Sequence, residues 1–198
     1  MRRLVLASKS LTRARVLKAA GVVFDVMPAK VDEVATRQDL TAKGMEPRSV
    51  AKFLAESKAL AVSDTDRDAL VIGADQLLVF QGQILSKAEN LTQAESTLRS
   101  LRNQSHQLIS AVSLATNGAA LWRHVDVATL QMRAFSDAFL TDYLFREGDD
   151  SLTSVGCYRL EGMGVQFFSR VEGDYFSVLG LPLLPLLGAL RDQGILPS

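Results

Sequence analysis

LVLASKSLTRARVLKAAGVVFDVM, residues 4–27, decides the architecture. Residues 4–7 form a short apolar run with strand character. Across residues 10–20 the apolar positions Leu11, Ala14, Leu17, Ala19 and Ala20 follow helical spacing, and Gly21 supplies the stop signal. Residues 22–27 then return as a strand. A strand, a helix and a second strand in quick succession open an α/β sheet, not a bundle or a sandwich.

The alternation continues outward from there. Residues 32–46 are polar with little apolar periodicity and predict a loop or mobile flap. Pro47 suits the first turn of a helix carrying Val50, Phe53, Leu54, Ser57, Ala61 and Val62 at near-helical spacing. Residues 64–68 turn the chain, and residues 70–74 predict a buried strand ending at Asp75. Residues 77–80 and 83–85 resemble a hairpin around Gly82, and 92–101 a further helix. Residues 107–115 and 119–135 flank Asn117-Gly118, the dipeptide favoured in two-residue hairpin turns, and predict a long antiparallel ribbon. Ser136 caps a helix running to Arg146, the glycine-rich stretch 156–164 leads to a strand, and a loop at Gly173 precedes LGLPLLPLLGAL, a packed terminal helix. With no internal repeat, linker or low-complexity block, residues 1–198 read as one domain.

Composition narrows the function classes. With 47% apolar and 22% charged residues the chain is an ordinary globular one. Its 22 basic and 22 acidic side chains cancel, so no global field favours a nucleic-acid polymer or an anionic membrane. The apolar run in MRRLVLASKS is too short for a signal-peptide core, and the terminal apolar stretch, broken by Pro182 and Pro185, falls short of the roughly 20 residues of a membrane span. The single cysteine, Cys157, excludes an intrachain disulfide and a thiolate zinc cage, which fits a reducing, cytoplasmic setting. With only His106 and His124, the composition argues against a histidine-rich metal centre.

Several residues carry possible chemistry, each with a plainer reading beside it. Ser8 and Ser10 precede a helix bearing Arg13 and Arg15, either an anion cradle at a helix N-terminus or a capping serine with exposed arginines. The acids Asp32 and Glu33 suit a divalent cation, or are solvated turn residues. Asp75, after an apolar strand, is sited where open α/β sheets bind ligands, or caps a turn. Lys58 and Lys87, with Arg13, suit the charge of a leaving pyrophosphate, or are surface lysines. His106 and Cys157 lie in no recognisable nucleophile motif. Trp122 and Tyr175 either stack on a base or serve packing, and the ribbon bearing Trp122 is a candidate dimer surface.

Taken in order, the blocks LASKSLTRARVLKAAGVVFDVMPAKVDE, AESKALAV, LVIGADQLLVFQGQILSKAENLTQA, SHQLISAV and EGDDSLTSVGCYRLEGMGVQFFSRVEGDYFSVLGLPLLPLL resemble the Maf family of nucleoside triphosphate pyrophosphatases over nearly the whole chain. The resemblance implies an inosine-triphosphatase-like α/β fold, a mixed twisted sheet with flanking helices and two lobes around a central cleft. It implies a divalent cation, Mg²⁺ or Mn²⁺, a homodimer, and hydrolysis of a nucleoside triphosphate to monophosphate and pyrophosphate. Ser8, Arg13, Glu33, Lys58, Asp75 and Lys87 match positions the family uses for phosphate, metal or catalysis, with Asp75 as proton acceptor and Glu33 and Asp75 as metal ligands. The chain also departs from the family pattern. Its usual Ser-Pro-Arg-Arg is Ser10-Leu11-Thr12-Arg13, which puts Thr12 at a position linked to base preference. Its Lys-Pro is Lys87-Ala88, its Asp-Thr is Asp75-Gln76, and a usual glutamine is Glu161. Gln76 and Glu161 resemble the branch acting on 7-methyl-GTP. The family's older name implies an alternative, a nucleotide-binding regulator of cell division with little turnover.

Overall fold

Strand β1 (Leu4–Leu6) and helix α1 (Leu11–Ala19) form where the sequence predicts them. The computed structural model describes residues 2–197. Gly21, at φ +74°, donates its N–H to Lys18 O while the Val22 N–H reaches back to Leu17 O, the paired bonds of a left-handed helix stop. Val22 is therefore taken up by the cap, and β2 shrinks from the expected six residues to Asp25–Val26.

Two expectations are corrected. The polar stretch 32–46 is not a loop: it contains helix α2 (Glu33–Ala42), followed by α3 (Pro47–Ser63). Apolar periodicity does not make α2, whose only buried residue is Leu40. Capping does, with Asp32 Oδ1 accepting the Ala35 N–H at 3.0 Å and Glu33 at the positive end of the helix, and α2 then packs on α3. Nor does a strand end at Asp75. β3 runs without a break over Leu70–Phe80, because a buried lysine pairs with the carboxylate and the chain resumes an apolar course at Leu77.

The sheet is mixed. β1 pairs in parallel with β2 and β3, and β3 pairs antiparallel with β4 (Gln83–Leu85) through the Gln81-Gly82 turn. With β5 (Ser105–Thr116), β6 (Ala119–Met132) and β7 (Phe168–Glu172), the strand order is β2-β1-β3-β5-β6-β7. Asn117 and Gly118, both at positive φ, make the two-residue connection from β5 to β6.

Residues cluster into two compact units. The first comprises the segments up to Gln76, Ile109–Asp126 and those from Asp174 onward; the second comprises Leu77–Leu108 and Val127–Gly173. In the first, Leu6, Leu17, Leu70, Ile72 and Leu114 form a core with Leu186 and Leu190 of the last helix. That helix, which follows α4 (Leu91–Leu101), α5 (Asp137–Glu147) and the short α6 (Tyr175–Val178), is α7 (Leu183–Asp192). Pro182 is its N-cap and Pro185 lies in its first turn, where no intrahelical N–H is required. In the second unit Phe135, Phe139 and Tyr143 meet Phe167 edge-on at centroid distances of 4.7, 5.0 and 4.7 Å. Cys157 is buried there, its thiol pushed up by that burial. Among the described residues no helix is long and apolar enough to cross a membrane.

Candidate active site

Gly73 lets helix α3 approach the sheet. A Cβ there would lie 2.1 Å from Ala55 O and 2.5 Å from Ala59 N, so only glycine admits this backbone-to-backbone contact. The contact brings Lys58, on the same turn of α3, over β3. Its Nζ stands 2.7 Å from Asp75 Oδ1, 2.8 Å from Glu33 Oε2 and 3.4 Å from Ala74 O. The side chains of Lys58 and Asp75 are 6% and 7% exposed, whereas that of Glu33 is half exposed. Asp32 is turned to its cap, so only one member of the acidic pair reaches this cluster.

Arg13 completes the arrangement. Ser10 caps α1, its Oγ accepting the Arg13 N–H at 3.3 Å, and Ser8 Oγ accepts from Ser10 N at 3.2 Å. Arg13 is buried, unlike the exposed Arg15. Its Nε donates to Gly180 O at 2.8 Å, and its Nη1 to Ala74 O at 3.0 Å and Ser8 Oγ at 3.1 Å. Burial holds its pKa below the usual arginine value, against the opposing pull of Asp75 and Glu33. Arg13 and Lys58 thus balance Glu33 and Asp75 charge for charge.

One valence is left open. Asp75 Oδ2 is buried and accepts no hydrogen bond, a costly state for a carboxylate oxygen. A divalent cation fits that atom together with the exposed carboxylate of Glu33. Among the described residues no group of three or more His, Cys, Asp or Glu side chains is placed to hold a metal, so ligand oxygens and water would complete the shell, in the manner of Mg²⁺.

Beside Asp75, Gln76 Nε2 lies 2.9 Å from Ser110 Oγ, 3.1 Å from Ser177 O and 3.0 Å from Val178 O. Sequence reasoning missed Ser110, Ser177 and Gly180. Nothing local marks their link to this site, since the site residues they meet, Gln76 and Arg13, lie 34 to 167 positions away. Thr12 is half-buried on α1. Lys87, whose Nζ donates to Thr153 O at 2.9 Å, and Glu161, 3.9 Å from Arg159 Nε, belong to the second unit. Trp122 stacks on His124 at 5.9 Å and packs at the margin of the first unit's core, while Tyr175 is exposed.

Known proteins resemble this chain along its length. The nucleoside triphosphate pyrophosphatase of Granulibacter bethesdensis is 47% identical over 191 residues, covering 96% of this chain and 97% of that protein. The 7-methyl-GTP pyrophosphatase of Rhizobium meliloti is 46% identical over 195 residues, covering 98% of each. Among solved structures, the nucleoside-triphosphatase / dITP/XTP pyrophosphatase of Mycobacterium abscessus aligns over 98% of both chains at 12% identity and a TM-score of 0.43. The family model described as Maf-like protein matches residues 3–193. This chain belongs to the Maf-like protein family.

Proposed function

We propose that this protein is a nucleoside triphosphate pyrophosphatase, cleaving its substrate to the monophosphate and pyrophosphate, with a modified guanine nucleotide such as 7-methyl-GTP as a preferred substrate. The observation that carries the reading is the buried Asp75 carboxylate, ion-paired through one oxygen and open at the other, beside a balanced set of Glu33, Lys58 and Arg13. The names of relatives at 46–47% identity over 96–98% of the chain support it.

Asp75 Oδ2 and Glu33 would hold Mg²⁺ or Mn²⁺, which when bound neutralises phosphate charge. Asp75 accepts the proton of the water that attacks the α-phosphorus. Lys58, ion-paired to both carboxylates, holds them aimed. Arg13, anchored through Nε and Nη1, holds the Ala74 carbonyl and the Gly180 backbone in register around Asp75 and adds positive charge for the phosphates, with the Ser8 hydroxyl beside it. Lys87 for the leaving pyrophosphate, and Thr12, Gln76 and Glu161 for the base, enter on the resemblance. So do a homodimer and a cytoplasmic setting, the former checked by light scattering.

Pyrophosphate release from a panel of common and modified triphosphates tests the proposal. Turnover is expected with Mg²⁺ or Mn²⁺ and is expected to vanish on chelation. Asp75→Asn should lose roughly a hundredfold or more while still binding nucleotide. Unchanged turnover in that variant removes Asp75 from its role. Binding without turnover in the native protein favours a regulator instead.

A further inference from the structure

A glutamine carboxamide presents two donors on one side and an acceptor on the other, and its role depends on which end faces the ligand. In Gln76 the surroundings make the choice. Nε2 meets three oxygens, Ser110 Oγ, Ser177 O and Val178 O, at 2.9, 3.1 and 3.0 Å. Ser110 has committed its own proton, donating to Ser177 O at 2.6 Å, so toward Gln76 its hydroxyl is an acceptor. A flipped carboxamide would set its oxygen against two carbonyls and a hydroxyl lone pair, losing every one of these bonds.

The acceptors are themselves fixed. Ser177 is 2% exposed; its N–H donates to Asp174 Oδ1 at 2.8 Å, and its Oγ lies 2.7 Å from Asp126 Oδ2 and 3.1 Å from Asp174 Oδ1. The backbone that presents the Ser177 and Val178 carbonyls is therefore pinned from behind. On the opposite side, Oε1 accepts no hydrogen bond from any described residue. It borders a niche kept open at Gly180, where a Cβ would stand 3.5 Å from Oε1 and 3.6 Å from Arg13 Nε and Nη2. At φ +92°, Gly180 is also a position that side-chain-bearing residues rarely adopt.

We propose that Gln76, locked by Ser110 and Ser177, serves only as a hydrogen-bond acceptor, and that the nucleotide group it reads is an N–H or O–H donor. This rests on the pyrophosphatase reading and adds to it the polarity of the contact, with Ser110 and Ser177 as positioning residues. Two parts of a nucleotide offer such a donor: the amino or imino N–H of a base, and a sugar hydroxyl.

The lock is tested without turnover. In the ¹⁵N-labelled protein the Gln76 side-chain amide pair, assigned by its disappearance in Gln76→Leu, should exchange with solvent far more slowly than an exposed glutamine. Ser110→Ala should speed that exchange by roughly tenfold or more, and Ser110→Thr should restore protection. Exchange in the native protein at the rate of an exposed glutamine overturns the lock. The ligand is tested by comparing GTP with inosine triphosphate, N1-methyl-GTP, 2′-deoxy-GTP and 3′-deoxy-GTP. One donor-deleted analogue should lose roughly tenfold or more in kcat/KM, identifying base or sugar. That penalty should collapse in Gln76→Leu and shrink in Ser110→Ala, where the Ser177 and Val178 carbonyls still hold Nε2, and return in full in Ser110→Thr. Equal rates for all five nucleotides, or an undiminished penalty in Gln76→Leu, overturn the acceptor role. Absence of turnover on every nucleotide sinks the pyrophosphatase reading instead, and the same analogue series, read as binding affinities, then judges the contact.

Discussion

Lys58 is the side chain whose loss the molecule should feel most. Its ammonium bridges two carboxylates, and with the Lys58 and Asp75 side chains 6% and 7% exposed the pair is governed by desolvation and not by screened surface attraction. Lys58→Met strips the buried Asp75 carboxylate of its ion-pair partner and should cost about 3 kcal/mol in urea denaturation. The double variant Lys58→Met with Asp75→Asn should recover most of that loss, since the buried Asp75 carboxylate is then replaced by a neutral amide. Equal stabilities for the single and double variants would show that Asp75 is not held as an ion in the folded chain. Sequence alone supplied both residues but not their pairing, which joins positions 17 apart on a helix and a strand.

Among the elements, the seam between α3 and β3 is the one with no slack. Gly73→Ala places a methyl group 2.1 Å from a helix carbonyl, and backbone cannot step aside as a side-chain tip can. The variant should lose about 2–3 kcal/mol of stability and most of its turnover, because Lys58 moves with the helix. Full stability in thermal melts would show the seam to be looser than drawn. Elements with a strong local signature were legible beforehand: Ser10 before α1, Pro47 opening α3, Asn117-Gly118 between β5 and β6, and Ser136 before α5 all act as read. Helix α2 was not legible because one cap and one buried leucine sustain it, with no apolar stripe. Strand β3 was read as broken because a charged residue inside an apolar run resembles an end until its counter-ion, arriving from another element, is known. For the same reason the candidate site was legible in its charged residues and hidden in its supports. Arg13 meets Gly180 across 167 positions and Gln76 meets Ser177 across 101, spans that no local pattern encodes.

For the molecule as a whole, stability on the acid side should carry the mark of His106. Its ring is 2% exposed, its Nε2 lies 2.6 Å from Tyr158 Oη and its Nδ1 has no partner, and burial brings its pKa from the ordinary 6.5 down to about 4. The unfolded chain takes up a proton near its ordinary value while the folded chain resists, so stability is full above pH 6.5 and is lost as pH falls toward 4. That loss should reach about 3 kcal/mol and be absent in His106→Gln, as read by urea midpoints across the range. A native profile matching that of the variant would mean His106 takes up its proton as readily folded as unfolded. The single tryptophan and the single cysteine of the chain lie in different units, Trp122 in the first and the buried Cys157 in the second. Indole fluorescence therefore follows the loosening of one half, while the rate of alkylation by a thiol reagent follows the opening of the other. The wild-type polypeptide already carries an independent optical and chemical reporter for each.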